Sequence, residues 1–182
     1  RICQEMFGWC ARPCLKGGTA MADLYVRIDD RLIHGQTIVA WCPTLQIKEI
    51  VAVDDVSAKN PMLKTIMTMG VPSTYKTHIV TTQEAKEILK TPGSGNRLMI
   101  VKQPQVLTAF KEEIGGAKAI MLGNLAKKED SRHKLDGATG IFYLSDQDVE
   151  ILDGFANQGL EVFFHQLPTS ARTTWEAFKK TI

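Results

Sequence analysis

The sequence predicts an α/β protein: a single domain built on an open, mostly parallel sheet of about seven strands with helices on both faces. Three observations predict it. Short β-rich runs alternate with amphipathic stretches of roughly ten residues, the rhythm of βαβ units. Some runs, such as Glu49-Ile50-Val51-Ala52-Val53, are apolar almost throughout, as strands covered on both faces are. The amphipathic stretches also open on residues that cap helices.

Taken in order, Leu24-Tyr25-Val26-Arg27-Ile28 reads as the first strand and Glu49–Val53 as the second. His78-Ile79-Val80, Leu98–Val101, Ala119–Leu122, Ile141–Leu144 and Leu160–Phe164 complete the set. Between them, Thr37-Ile38-Val39-Ala40-Trp41 has helical character. Asn60-Pro61 is an N-cap with proline at the first helical position, followed by Leu63, Ile66 and Met67 on one face. Thr81 and Glu84 form a capping box ahead of Ala85, Ile88 and Leu89. Pro104 opens a helix with Val106, Leu107, Phe110 and Ile114 on one side. Ser145 and Asp148 start another, running through Val149, Leu152 and Ala156 to a left-handed cap at Gly159. Ala171, Trp175 and Phe178 mark a last helix. The polar stretch from Gly123 to Gly140 is either a mobile loop or holds a short helix around Ala126 to Asp130. Crossovers should be right-handed, which puts the reactive loops at the carboxyl ends of the strands.

A chain of 182 residues suffices for one such domain, and no apolar run approaches the roughly 20 residues of a bilayer span. Residues 1–20 stand apart. They hold Cys3, Cys10 and Cys14 and show no hydrophobic period, and they lack the basic start and continuous apolar core of a secretory signal. Lys16-Gly17-Gly18 back-translates as a purine-rich ribosome-binding sequence just ahead of Met21. Residues 1–20 are therefore expected to be a disordered, non-native or upstream-translated extension, and 21–182 the domain. The net charge of +2 rests on 22 basic and 20 acidic residues. Setting aside Arg1, Arg12, Lys16 and Glu5 leaves 19 of each, so the charge gives no support to nucleic-acid binding. Cys10 and Cys14 are followed by no histidine or cysteine pair at zinc spacing, and lone Cys42 reads as a buried thiol suited to a reducing cytoplasm.

The chemistry concentrates in Arg27-Ile28-Asp29-Asp30-Arg31-Leu32-Ile33-His34-Gly35-Gln36, which leaves the first strand and enters a helix. The first turn of that helix offers unpaired N–H groups and the positive end of the helix dipole, a setting for a phosphoryl group. A neutral imidazole at His34 has a lone pair and can be phosphorylated reversibly. Arg31 offers a planar fork of donors to phosphate oxygens, and Gly35 allows close backbone approach. A histidine beside an arginine in a loop is also compatible with a purely structural role.

The segment RIDDRLIHGQ resembles the active-site signature of the mannose/fructose/sorbose-family IIB components of the bacterial phosphoenolpyruvate-dependent sugar phosphotransferase system. Val53-Asp54-Asp55, the Lys64-Thr65 helix leading to Val71-Pro72, the strand exit Gly123-Asn124 and the closing helix are similar to the family too, so the resemblance spans Met21 to Ile182. It implies that His34 is the phosphorylated histidine, on the ring nitrogen nearer the backbone, and that Arg31 contacts the phosphoryl group. Gly35 and Gln36 would add backbone donors, and Asp29 or Asp30 would orient Arg31 or the imidazole, unless either is only a turn-forming aspartate. The implied partners are a phosphorylated IIA domain and the membrane IIC and IID components, with the protein cytoplasmic and peripherally associated with that transporter. No metal or other cofactor is implied. The family usually has valine where this chain has Thr37, a change expected to affect packing more than chemistry. Mannose, fructose, sorbose and amino sugars are all compatible with the resemblance, as is a homodimer.

His78 and His165 read as hydrogen-bonded residues at strand ends, and His133 as solvated within the charged Lys127–Lys134 segment. Three other functions fit less well. Histidine-phosphate phosphatases and mutases usually carry arginine directly before the histidine, where this chain has Ile33. A nucleotide-binding module needs a glycine-rich phosphate loop, which is missing. A regulator that had lost the chemistry would have no need for an intact RLIHGQ.

Overall fold

The computed structural model describes residues 22–135 and 140–182. Its strands are β1 (Leu24–Asp29), β2 (Ile47–Val53), β3 (Lys76–Val80), β4 (Asn96–Val101), β5 (Ala119–Asn124), β6 (His133–Lys134), β7 (Tyr143–Leu144), β8 (Val162–Phe164) and β9 (Thr173–Thr174). Seven form one sheet in the order β3-β2-β4-β1-β5-β8-β9. Every neighbouring pair is parallel except β8 and β9. The helices are α1 (Cys42–Thr44), which continues a π-helical turn at Thr37–Trp41, then α2 (Asp55–Ala58), α3 (Pro61–Thr68), α4 (Thr82–Lys90), α5 (Asp146–Asn157) and α6 (Trp175–Lys179). None of them is long and apolar enough to cross a membrane.

The strands are apolar on both faces because each face has its own core. Along β4, Met99 and Val101 join a large core with Leu107, Phe110, Leu152, Phe155 and Phe178. Leu98 and Ile100, turned to the other side by the two-residue period, join a smaller core with Leu32, Ile33, Ile38, Trp41 and Cys42. The loop and helical segment around His34 are thus anchored on the sheet by their own apolar residues. Each such fully buried aliphatic or aromatic side chain contributes about 1.5–3 kcal/mol.

The caps form where the sequence puts them. Asn60 accepts from the N–H groups of Met62 and Leu63, and Pro61 follows. Thr81–Glu84 and Ser145–Asp148 both close as reciprocal capping boxes. Gly159 has φ +90°, the left-handed conformation expected after α5.

Several segments differ from the expectation. Ile141–Leu144 does not join the main sheet. Only Tyr143 and Leu144 are strand, and they pair antiparallel with β6 in a separate two-stranded ribbon. Phe142 and Leu144 are buried, so this apolar run gains its burial by packing over the large core instead of by adding a rung to the sheet. The seventh rung is Thr173–Thr174, whose short polar sequence carries no strand signature. The described part of 123–140 contains no helix and is held instead by a bridge from Leu125 to Phe142 and by β6. The segment opened by Pro104 is a 3₁₀ helix over Pro104–Phe110, although its expected inward residues Leu107, Phe110 and Ile114 are all buried. The last helix starts at Trp175 with Thr174 as its cap, and Ala171 lies in the loop before it. The expected extension at 1–20 lies outside the described residues.

Candidate active site

β1 lies inside the sheet between β4 and β5, so its carboxyl end opens at the centre of the functional edge. The β1–β5 register slips between Ile28 and Asp29, and the chain turns out of the sheet there. Asp30 fastens the exit. Its N–H donates to the Asn124 carbonyl at 3.2 Å, and its carboxylate accepts from Asn124 Nδ2 at 2.6 Å and from the Ala126 N–H at 3.2 Å. Leu32 then takes a left-handed conformation, φ +54°, with its N–H on the Asp29 carbonyl. This costs a leucine about 1 kcal/mol, offset by burying its side chain. The His34 carbonyl accepts the first helical bond, from the Ile38 N–H.

Asp29 is fully buried and is the hub of the charges. It accepts from Arg27 Nη2 at 3.1 Å, and from Arg31 through Nε at 2.9 Å and Nη2 at 3.0 Å. That bidentate contact fixes the plane of the Arg31 guanidinium and leaves its Nη1 uncommitted among the described residues. Arg31 is about one-third exposed. Arg27 is fully buried, and its Nη1 and Nη2 also donate to the carbonyls of His165 and Gln166. Its guanidinium lies 5.0 Å over the Trp41 ring, and Trp41 Nε1 donates to the same Gln166 carbonyl. A Cβ on Gly123 would lie 2.1 Å from Arg27 Nη2, so glycine there makes the space for this arginine.

His34 sits beside this hub, mostly covered. Its Nε2 is 3.7 Å from Asp29 Oδ2, beyond hydrogen-bond reach, and its Nδ1 is 2.7 Å from the Thr37 hydroxyl. Burial pulls the His34 pKa below its ordinary value. Asp29 and a backbone hydrogen bond with Leu32 oppose that shift, and Arg31 and Arg27 reinforce it. The ring is therefore neutral at neutral pH and keeps one lone pair, which is the requirement for a nucleophile. Gly35 and Gln36 form the first helical turn beyond it. Space above Gly35 is open, so no packing against the protein demands a glycine. The Gln36 Oε1 is buried without a partner among the described residues.

The loop brings Asp29, Arg31 and His34 together, while Asp30 turns away to β5. Three residues have roles at the site that the sequence reading did not give them. Arg27 had a signal, a charge in the middle of a strand that is otherwise apolar. Thr37 also had one, since it follows His34 by the three residues that bring helical side chains together. Contrary to the packing role expected of it, its hydroxyl touches the imidazole. Gly123 had none, because its need arises across two strands. The remaining histidines are bound elsewhere. His78 Nε2 meets Glu49 at 2.9 Å and His165 Nε2 meets the Ser170 carbonyl at 3.1 Å. His133, expected to be solvated, instead pairs with Asp146 at 2.7 Å. Cys42 is buried, which pushes its thiol up to about 12 and leaves it unreactive. Among the described residues no three His, Cys, Asp or Glu side chains cluster as a metal site would require.

Residues 24–181 match the family model described as the PTS system sorbose subfamily IIB component. A fructose-specific EIIB component of Bacillus subtilis is 24% identical over 80% of this chain and 88% of that protein. The mannose-specific EIIAB component of Escherichia coli is 25% identical over 80% of this chain and 45% of that protein. The fold is shared with the IIBSor domain of the sorbose permease from Klebsiella pneumoniae, at TM-score 0.77 and 16% identity over 88% of this chain and 98% of that one. The chain belongs to the sorbose subfamily of IIB components of the sugar phosphotransferase system.

Proposed function

We propose that His34 is the phosphoryl carrier of this IIB protein, taking the group from a phosphohistidine on a IIA domain and passing it to a sugar held by membrane IIC and IID components. The observation that carries this reading is the His34 ring itself: neutral, on the functional edge, beside an arginine whose free donor is held in a fixed plane by Asp29. The match to an EIIAB protein over 45% of its length supports a IIA partner, since that relative's name joins the two functions in one chain.

In this reading the His34 Nδ1 lone pair attacks phosphorus in line. The N–P bond to the donor imidazole breaks as the new one forms, and the donor leaves as a neutral ring. Charge on the equatorial oxygens is met by Arg31 and by the N–H groups of the first turn at Gly35 and Gln36. Asp29 acts through Arg31 and Arg27 and keeps both from swinging away. The second transfer reverses the geometry, with a sugar hydroxyl as acceptor at the cytoplasmic face of the membrane.

The test is transfer from a phosphorylated mannose-type IIA domain to the protein and to its His34→Gln variant, read by mass under alkaline conditions because a phosphoramidate is lost in acid. One acid-labile phosphate on the protein and none on the variant is expected. No transfer from a donor that phosphorylates an established IIB protein overturns the reading.

A further inference from the structure

The hydroxyl of Thr37 does not take the outlet that Thr44, Thr65 and Thr68 take within their helices. Thr44, Thr65 and Thr68 turn their hydroxyls back to a carbonyl four residues earlier, on Ala40, Pro61 and Lys64. That is the usual outlet for a threonine within a helix. Thr37, which is completely buried, makes its hydrogen bond to the Nδ1 of His34 instead. The two ring nitrogens of His34 thus face different groups: Nδ1 a hydroxyl, and Nε2 a carboxylate oxygen at 3.7 Å.

These surroundings choose a tautomer. A neutral imidazole carries its proton on one nitrogen and a lone pair on the other. With the lone pair on Nε2, that pair would point toward the Asp29 carboxylate across a buried gap. With the proton there, the N–H dipole faces the negative charge. In the tautomer that the carboxylate favours, the proton lies on Nε2, the lone pair falls on Nδ1, and the Thr37 hydroxyl donates to it.

We propose that Thr37 is a positioning residue that reserves Nδ1 as the attacking atom and then moves its hydrogen bond onto the phosphoryl group. The proposal rests on the reading of His34 as carrier. On transfer the Nδ1 lone pair becomes the N–P bond, the donor's N–P electrons return to the donor ring, and the Nε2 proton stays in place. The Thr37 hydroxyl loses its acceptor at that moment. A rotation about its χ1 bond brings it to a phosphoryl oxygen a bond further on. A hydrogen bond to a charged oxygen is worth about twice one to a neutral nitrogen. The exchange therefore favours the phosphorylated state, by about fivefold for the difference of roughly 1 kcal/mol that these strengths imply.

The experiment compares the protein with Thr37→Val, which keeps the branched shape, and Thr37→Ser, which restores the hydroxyl. Nitrogen-15 NMR of the histidine rings in the unphosphorylated proteins reads the tautomer, and phosphoryl exchange with a IIA domain reads the equilibrium. The expected result is a proton on Nε2 in the wild type and a Nδ1 resonance moved toward that of a free lone pair in Thr37→Val. The exchange equilibrium should shift about fivefold toward the donor in Thr37→Val and return in Thr37→Ser. A proton on Nδ1 in the wild type, or an unchanged equilibrium in Thr37→Val, overturns the proposal. Should Thr37→Val fail to fold, the wild-type ring spectrum and the Thr37→Ser equilibrium still decide it. A wild type that accepts no phosphate defeats the carrier reading instead, and the ring spectrum separates the two failures.

Discussion

Two buried carboxylates in this protein are each surrounded by two cations and a histidine, yet only one of the sets looks like a site. Glu49, near the start of β2, meets Arg97, Lys76 and His78. Asp29, at the end of β1, meets Arg27, Arg31 and His34. In the first set His78 Nε2 is in direct contact with the carboxylate at 2.9 Å. All three side chains project from neighbouring strands and converge on the one carboxylate. Burial alone would raise the Glu49 pKa, but hydrogen bonds from Arg97, Lys76 and His78 outweigh it and hold the pKa below its ordinary value. In the second set the histidine stands 3.7 Å off, on a loop that has left the sheet, with its other nitrogen occupied by a hydroxyl. Composition is nearly the same in both. What differs is the end of the strand: side chains on strand interiors lock together, whereas a loop at the carboxyl edge can hold a base near its neutralising charges without spending its lone pair on them.

The largest effect expected from this difference comes from removing each carboxylate. Asp29→Asn and Glu49→Gln should both destabilise the fold, by about 3 kcal/mol in denaturant titrations, because each strands a buried guanidinium. Only Asp29→Asn should also reduce phosphoryl acceptance, by roughly a hundredfold, since Arg31 and Arg27 lose their anchor. Equal loss of acceptance in Glu49→Gln would break the comparison.

Next comes the space that Gly123 leaves. Gly123→Ala would push a methyl into the Arg27 guanidinium and should cost about 2 kcal/mol in thermal or chemical melts. Acceptance should fall with it as Asp29 shifts. Gly154, inside α5, has open space where a methyl would project, so Gly154→Ala should instead stabilise by about 0.5–1 kcal/mol and leave acceptance alone.

The smallest effect separates the two sets along the pH axis. The folded pKa of His34 lies below its ordinary value of 6.5, so the unfolded chain binds a proton first. Its contribution is fully present above 6.5 and is lost as pH falls from there toward the folded value. Glu49 also has a lowered folded pKa, but from 4.5. Its contribution persists until pH falls below that value and is then lost through the folded pKa. Urea midpoints followed from neutral to acid should therefore decline in two stages. His34→Gln should reduce the first stage, which it shares with the burial-lowered His165, and Glu49→Gln the second, which it shares with Asp54 and Asp153. An unchanged first stage in His34→Gln would mean that the fold does not hold this ring neutral.

The fold was legible in the sequence where its signals are local. Asn60, Thr81, Ser145 and Gly159 each act within four residues, and each forms the cap its type implies. Two-residue pairings such as β9 on β8 are decided by what the rest of the chain leaves open, so Thr173 and Thr174 gave no sign while Ile141–Leu144 gave a misleading one. The site divides in the same way. The loop Asp29–Gln36 stands out as a linear motif. The support beneath it does not, because Arg27 depends on Gly123, Trp41 and two carbonyls after β8, brought together only by the sheet.

The rims of that sheet carry a consequence for how the protein meets other chains at high concentration. An unpaired strand edge is a template onto which another chain can zip. Here one rim ends in the two-residue antiparallel β9, too short to template anything. The other is β3, whose outer residues include an exposed lysine, Lys76, and His78, drawn back onto Glu49. A six-strand parallel core, slow to form because its pairings are distant in sequence, is thereby finished with blunt borders that discourage neighbouring chains from joining it.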